Sequence, residues 1–226
     1  MLSEENTTWI DLTLPVYNGS PVFPGQPSPT FFTWTTLDLH PNATTAFFMV
    51  EHTGTHLDVP SHFDKTGLSV EEIPVDRFCG RCLIIDISHF QPGKSLSKEE
   101  LQRTINEQEI TIFPHDIVLF YTKNSIRYGH EDYFKQYAGL SGEAAHYLVE
   151  QKIKGVGIDA PSIDHAPYDG HRVFLPAGVI IYEFLTNLDL LLNKEAFFCA
   201  FPLKFNKCTG SPIRAVAQVK MTLKKE

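Results

Sequence analysis

The sequence predicts an α/β protein: a mixed β-sheet with helices packed beside it. Three observations carry that expectation. Short, apolar, β-prone runs recur from one end of the chain to the other. Helical periodicity is confined to a central block between residues 97 and 152. No repeat, low-complexity tract or linker divides the 226 residues, so a single domain over 1–226 is expected, with ample chain to bury a core.

Residues 9–14 alternate polar and apolar and read as the first strand. Residues 15–29 follow with five prolines and two glycines, a composition that cannot pair internally and predicts an ordered loop. Phe23 in that loop either walls a substrate pocket or packs beneath the loop. Residues 30–39 and 44–53 read as two strands joined by the turn signal His40-Pro-Asn-Ala43. A short turn is expected at 70–73 and a buried strand at 81–87. Ser97-Lys-Glu-Glu100 is a capping box that opens a helix to about Gln108.

Residues 115–121 read as another strand. Helical patterns follow at 130–138 and 141–152, the second placing Ala144, Ala145, Leu148 and Val149 on one face. A strand over 155–159 runs into the loop Ala160-Pro-Ser-Ile-Asp-His-Ala-Pro167. Residues 178–183, 197–205 and 213–223 supply the remaining strands.

One stretch concentrates the chemistry: His52-Thr-Gly-Thr-His-Leu-Asp-Val-Pro-Ser-His62. His52, His56, Asp58 and His62 are all able to bind a metal or carry protons. Read as a strand, the segment puts His52, His56 and Asp58 on one face, because side chains two apart point the same way. Gly54 leaves room on that face for close approach, and Glu51 points to the opposite one. Pro60 ends the strand, so His62 enters from a turn. The i, i+4 spacing of His52 and His56 also suits a helix, but Gly54 and two threonines are poor helix formers and no Glu follows the first His.

Glu183 lies in an apolar strand, where a carboxylate must be paired, hydrogen-bonded or bound to a cation. Arg214 is one candidate partner, and a cation shared with His171, twelve residues upstream, is the other.

The totals exclude several classes. A formal net charge of −8 without a basic stripe argues against nucleic acid. No apolar run is long enough to span a bilayer, and Met-Leu-Ser-Glu-Glu-Asn lacks the features of a signal peptide, so a cytoplasmic protein is expected. Cys79-Gly-Arg-Cys82 leads into a strand rather than a helix, and Cys199 and Cys208 are too far apart for a zinc ribbon. Ordinary thiols are the expectation for all four.

The segment His52–Phe63 (HTGTHLDVPSHF) resembles the signature of the cyclase family of metal-dependent hydrolases, which includes bacterial kynurenine formamidases and isatin hydrolases. The resemblance extends over most of the chain through Pro21-Val-Phe-Pro-Gly25, Asp116-Ile-Val-Leu-Phe120, Gly157-Ile-Asp-Ala-Pro-Ser-Ile-Asp164, Leu203-Lys-Phe205 and Gly210-Ser-Pro-Ile-Arg-Ala215. It implies a swivelling β/β/α fold, a homodimer or homotetramer, and a small-molecule substrate. It also implies His52, His56 and Asp58 as metal ligands, His62 as catalytic acid/base, and His171 with Glu183 completing a two-metal site. One or two ions of Zn²⁺ or Mn²⁺ are the implied cofactors, both compatible with mixed nitrogen and oxygen ligands. The chain departs from the formamidase pattern at Phe23, usually Trp, and Gln26, usually Asp. The catalytic set is therefore carried over further than the substrate.

These residues support metal-assisted hydrolysis of an amide, lactam or ester, with the cation activating water and His62 moving its proton to the leaving atom. No Gly-x-Ser-x-Gly elbow competes with that reading. A lyase or true cyclase, in which His62 abstracts a proton, and a non-catalytic metal-binding protein are the alternatives from other classes.

Overall fold

The computed structural model describes residues 7–220. The leading segment Met-Leu-Ser-Glu-Glu-Asn and the end of the last expected strand lie outside them. The described strands, in chain order, are β1 (Thr7–Asp11), β2 (Thr30–Thr35), β3 (Thr44–Phe48), β4 (His56–Asp58), β5 (Cys79–Asp86), β6 (Ser95–Leu96), β7 (Ile117–Tyr121), β8 (Gly139–Leu140), β9 (Gly155–Ile158), β10 (Ile180–Glu183), β11 (Ala196–Cys199), β12 (Gly210–Pro212) and β13 (Val216–Lys220). Three α-helices join them: α1 (Lys98–Glu107), α2 (Gly142–Glu150) and α3 (Asp169–Phe174).

Nine strands form one mixed sheet in the order β1-β13-β11-β5-β7-β9-β10-β4-β12. Its centre, β5-β7-β9-β10, is parallel, and the strands outside it pair antiparallel. The central strands read Leu83-Ile-Ile, Ile117-Val-Leu-Phe and Ile180-Ile-Tyr, nearly continuous apolar runs, because both faces of a parallel sheet are covered. One face packs Ile85, Val118, Phe120 and Val156 against Leu101 and Ile105 of α1 and Ala144 and Leu148 of α2. The other packs Ile84, Leu119 and Tyr182 against Phe198, Ala217 and Val219, which the curled outer strands bring over it. Full burial of each such side chain contributes about 1.5–3 kcal/mol, so the core is ample to hold an unfavourable cluster of buried charges.

α1 begins as expected. The Ser97 side chain accepts the Glu100 backbone N–H at 3.2 Å, and the Glu100 carboxylate accepts that of Ser97 at 2.9 Å. The expected helix at 130–138 does not form. That stretch is a series of turns, because Tyr133 is fully buried against Phe184 and Tyr128, with centroids 5.7 and 5.5 Å away. Aromatic packing there overrides helical periodicity. α3 was not anticipated; it is six residues long and follows a left-handed Tyr168.

All four cysteines are free thiols. Cys79 and Cys82 both lie on β5. Three residues apart on a strand they sit roughly 10 Å from each other on opposite faces, beyond the reach of a disulfide. No described helix is long and apolar enough to cross a membrane.

β9 hands the chain to Asp159, a fully buried carboxylate. It accepts the Thr122 backbone N–H at 2.7 Å, the Thr122 hydroxyl at 2.6 Å and the Ser125 hydroxyl at 3.3 Å. Burial pushes its pKa up to about 6 despite these donors. An acid whose pKa is raised by folding lends stability in full below its unfolded pKa and loses it as the pH rises through the folded value. Above pH 6, Asp159 therefore costs on the order of 2–3 kcal/mol. Asp159→Asn is expected to melt higher than wild type at pH 8 and to lose that advantage by pH 4. Thermal melts at the two pH values test this; a gap independent of pH would contradict it.

Candidate metal centre

The centre is built where β10, β4 and β12 meet at one end of the sheet. β4 is only three residues long. Alternation therefore explains His56 and Asp58 but not His52, which a turn delivers instead. Gly54, at φ +63°, makes that turn, and a Cβ there would stand 2.7 Å from Val16 Cγ2. Thr55 locks its exit, donating its hydroxyl to the Phe184 carbonyl at 2.6 Å and accepting the Leu14 N–H at 2.9 Å. Pro60 opens a single 3-10 turn that ends at His62, as the sequence predicts.

Register supplies the opposite wall. Glu183 on β10 faces His56, while Asp58 faces Ile181 on one side and Gly210 of β12 on the other. Gly210 must be glycine, because a Cβ would meet His52 Cε1 at 2.6 Å. His171 arrives on α3, tied down by Asp164, whose carboxylate accepts the His171 backbone N–H at 2.9 Å.

The structure thus brings together His52, His56, Asp58, His171 and Glu183, each 9 % exposed or less. His52 Nδ1 lies 2.6 Å and His56 Nε2 3.4 Å from Asp58 Oδ1. His171 Nε2 lies 3.6 Å from Asp58 Oδ2 and 3.4 Å from Glu183 Oε1, and His56 Nε2 is 3.7 Å from Glu183 Oε2. Two triads result, His52/His56/Asp58 and Asp58/His171/Glu183, each with its candidate ligand atoms within 4.8 Å of one another. Asp58 belongs to both.

The other nitrogen of each ring is occupied by an acceptor. His56 Nδ1 meets the Gly54 carbonyl at 2.8 Å, His171 Nδ1 meets Asp164 Oδ1 at 2.9 Å, and His52 Nε2 meets the Thr209 hydroxyl at 3.1 Å. With the outer nitrogens donating, the inner three face a space that two carboxylates share, and would present lone pairs to a cation that displaces their protons. That is the arrangement of imidazoles ordered for a cation by outer hydrogen bonds. The donor set therefore fits a divalent metal.

Electrostatics within the cluster point the same way. Burial raises the Asp58 pKa, but the charges of His52 and His56 outweigh it and hold the carboxyl well below the usual range. Burial pushes Glu183 up to about 7, against the pull of His171. His52 rises to about 10 and His171 well above its ordinary value, because carboxylates beside them overcome the opposing effect of burial. Each group leans on its neighbours for the positive charge that a cation would bring.

His62 behaves differently. Burial lowers its pKa to about 4, keeping the ring neutral near pH 7. Its ring stacks on His52 at 4.1 Å, and its Nδ1 lies 3.3 Å from the Thr209 hydroxyl. That hydroxyl donates to Glu51 Oε1 at 2.6 Å, while the Thr209 N–H reaches Glu51 Oε2 at 3.1 Å. Glu51 therefore does not point away from the site as the strand reading implies. The turn rotates it inward, where His52 and Thr209 hold its pKa near 2 against the opposing effect of burial. Neither Thr209 nor Asp164 carries a signal in the sequence that marks it as a partner of these rings. Arg214 pairs with Asp11 at 2.7 Å on the surface and leaves Glu183 to the cluster.

A cavity of about 390 Å³ opens onto the cluster, walled by Phe23, Phe63, Tyr168 and Phe184 with Gln26 beside them. Phe23 thus lines a pocket, held edge-on by Phe134 at 6.3 Å. The site combines buried nitrogen and oxygen ligands, a neutral imidazole and an aromatic cleft, the ingredients for hydrolysing a planar amide or ester.

A family model described as a putative cyclase matches residues 10–165. A kynurenine formamidase of Bacillus cereus is 28% identical over 218 residues, covering 94% of this chain and 98% of its own. One from Paracidovorax citrulli is 29% identical over 211 residues, covering 91% and 94%. Among solved structures, isatin hydrolase A from Labrenzia aggregata bound to benzyl benzoate superposes with a TM-score of 0.88 at 30% identity, covering 97% of this chain and 96% of that one. A potential metal-dependent hydrolase with cyclase activity superposes at 0.78 with 31% identity, covering 96% and 100%.

Proposed function

The chain belongs to the putative cyclase family, and from that premise we propose that it is a metal-dependent hydrolase that cleaves the amide, lactam or ester bond of a small aromatic molecule. The observation that carries this reading is the convergence of three oriented imidazoles and two buried carboxylates on one space beside an aromatic cleft. His52, His56 and Asp58 would hold one ion, and Asp58, His171 and Glu183 a second. Zn²⁺ and Mn²⁺ both suit such mixed donors. When bound, a divalent cation lowers the pKa of water to about 7 and polarises a carbonyl oxygen.

The protein's own groups do the rest. Phe23, Phe63, Tyr168 and Phe184 pack the substrate ring and exclude bulk water. His62, neutral at physiological pH, takes a proton from the attacking water and returns it to the leaving nitrogen or oxygen. Thr209 accepts from His62 Nδ1, which leaves Nε2 as the basic atom. The enzyme acts in the cytoplasm as one domain over 1–226, in homodimeric or homotetrameric form.

Elemental analysis of the purified protein, followed by assays on aryl formamides, isatin-type lactams and aryl esters, tests the proposal. Hydrolysis that a chelator abolishes and Zn²⁺ or Mn²⁺ restores is the expected result. Full activity in protein stripped of metal would overturn it, as would turnover by elimination without water uptake.

A further inference from the structure

Glu51 is a carboxylate that belongs to neither triad, yet its side chain ends beside the rings of the cluster. Ionised at neutral pH, it can only accept hydrogen bonds. Oε2 takes the Thr209 backbone N–H at 3.1 Å and Oε1 the Thr209 hydroxyl at 2.6 Å, while the Cys208 thiol donates to the same carboxylate. Residues 208 and 209 are also fixed from behind. The Cys208 carbonyl accepts the Val70 N–H at 3.0 Å, and the Thr209 carbonyl accepts that of Val59 at 3.0 Å. The Thr209 hydroxyl is thereby held at a set point between Glu51, His52 and His62.

A threonine hydroxyl has one hydrogen and two lone pairs to place. The short contact with Oε1 takes the hydrogen, since an ionised carboxylate offers none of its own. Both lone pairs are left for imidazoles: His52 Nε2 at 3.1 Å and His62 Nδ1 at 3.3 Å. Each of those nitrogens must carry a hydrogen to make its bond. In His52 this leaves Nδ1 facing Asp58 at 2.6 Å, and in His62 it leaves Nε2 bare. The direction of three hydrogen bonds thus follows from a single charge. With a neutral donor at position 51 the hydroxyl would turn. His52, with a cation on Nδ1, keeps its hydrogen on Nε2 and cannot accept. The hydroxyl would therefore donate to His62 Nδ1, and the hydrogen of that ring would move to Nε2.

We infer that Glu51 is a positioning residue: acting through the Thr209 hydroxyl, it fixes the tautomer of His62, so that Nε2 is the atom that takes and returns the proton. This rests on the acid/base reading of His62 given above and adds what sets it. Glu51 is not among the residues that line the cavity, whereas His62 is. Its influence on turnover therefore passes through the ring and not through contact with the substrate. The effect of such a device can be large. In the Ser-His-Asp triad, changing the carboxylate to an amide leaves the geometry intact yet imposes the wrong histidine tautomer, and kcat falls about 10⁴-fold.

Heteronuclear NMR of the imidazole nitrogens distinguishes the tautomers, in the presence of Zn²⁺ as a diamagnetic ion and with His62 assigned by the signal that His62→Ala lacks. His62 should be protonated on Nδ1 in the wild type. It should be protonated on Nε2 in Glu51→Gln, whose amide keeps its oxygen for the Thr209 N–H and donates to the hydroxyl. Thr209→Ser should keep the wild-type tautomer, and Thr209→Val, which lacks the hydroxyl, should lose it. On a substrate from the aryl amide and ester assays, Glu51→Gln should lower kcat toward the roughly 10²–10⁴-fold loss of a missing acid/base, with KM little changed. A wild-type His62 protonated on Nε2 overturns the assignment without any variant having to fold. A folded Glu51→Gln protein that keeps the wild-type tautomer also overturns it, as does one whose loss is confined to KM. The NMR readout does not use turnover, so a protein that shows these tautomers but hydrolyses nothing fails the hydrolase reading alone.

Discussion

Asp58→Ala is expected to abolish metal retention while the protein stays cooperatively folded. Asp58 is the one residue common to both triads, and its two oxygens face His52, His56 and His171. Loss of an outer hydrogen-bond partner alone costs roughly 10–100-fold in metal affinity, and loss of a shared ligand should exceed that. The fold has reason to survive, since Leu57 and Val59 on either side are fully buried and unchanged. His52, whose raised pKa rests chiefly on the Asp58 carboxylate, can then release its proton, while His171 keeps Asp164 and Glu183 as partners, so neither ring is left as an unpaired charge. Elemental analysis with a thermal melt reads both parts. Full metal occupancy in a folded Asp58→Ala protein would sink the assignment of both triads.

His62→Ala is expected to show the reverse: metal retained, turnover reduced by roughly 10²–10⁴-fold, the contribution of a positioned acid/base. The ring touches no carboxylate of the cluster and meets only Thr209 by hydrogen bond, so its removal leaves the five candidate ligands in place. Because folding depresses its pKa to about 4, His62 stays a competent base well below pH 6.5, and its protonation should draw the rate down only toward that lower value. Comparing pH–rate profiles of the wild type and His62→Ala would show a limb near 4 missing from the variant. A variant that turns over normally would remove His62 from the mechanism, and one that loses its metal would make it a ligand.

Much of this architecture could be read from the chain, and what could not has identifiable causes. The central strands announce themselves because burial on both faces demands unbroken apolar runs, and α1 because its capping box is local. His56, Asp58 and the turn at His62 follow from two-residue alternation and Pro60. His52 does not, since alternation presumes a continuous strand and the left-handed Gly54 ends it. The same turn reverses Glu51, so the assumption of a continuous strand misplaced Glu51 and gave the wrong route for His52, which still reaches the cluster. Glu183 was legible as a carboxylate too costly to bury alone; its register with His56 was not. Thr209 and Asp164 were invisible in their roles because a ring's hydrogen-bond partner is chosen by tertiary register, here across 158 residues of chain between Glu51 and Thr209. The turns at 130–138 mislead for a related reason: Tyr133 and Phe134 pack on Phe184, distant in sequence, as well as on each other, a tertiary contact that helical periodicity does not register.

That long reach from Glu51 to Thr209 also bears on how the molecule comes into being. A cysteine–histidine finger gathers its ion within a few dozen residues and cannot fold without it. Here β4, α3, β10 and β12 must all be in place before the cluster exists, and closing loops of such length is slow and entropically costly. The ion therefore cannot nucleate this protein; it is captured by a chain that has already all but folded. Metal should leave the refolding rate nearly untouched and act on the escape from the native state, so the loaded enzyme is held together by slow unfolding. Stopped-flow refolding and unfolding with and without chelator would separate the two limbs, and a refolding rate that climbs with added metal would show the order of events to be the other way round.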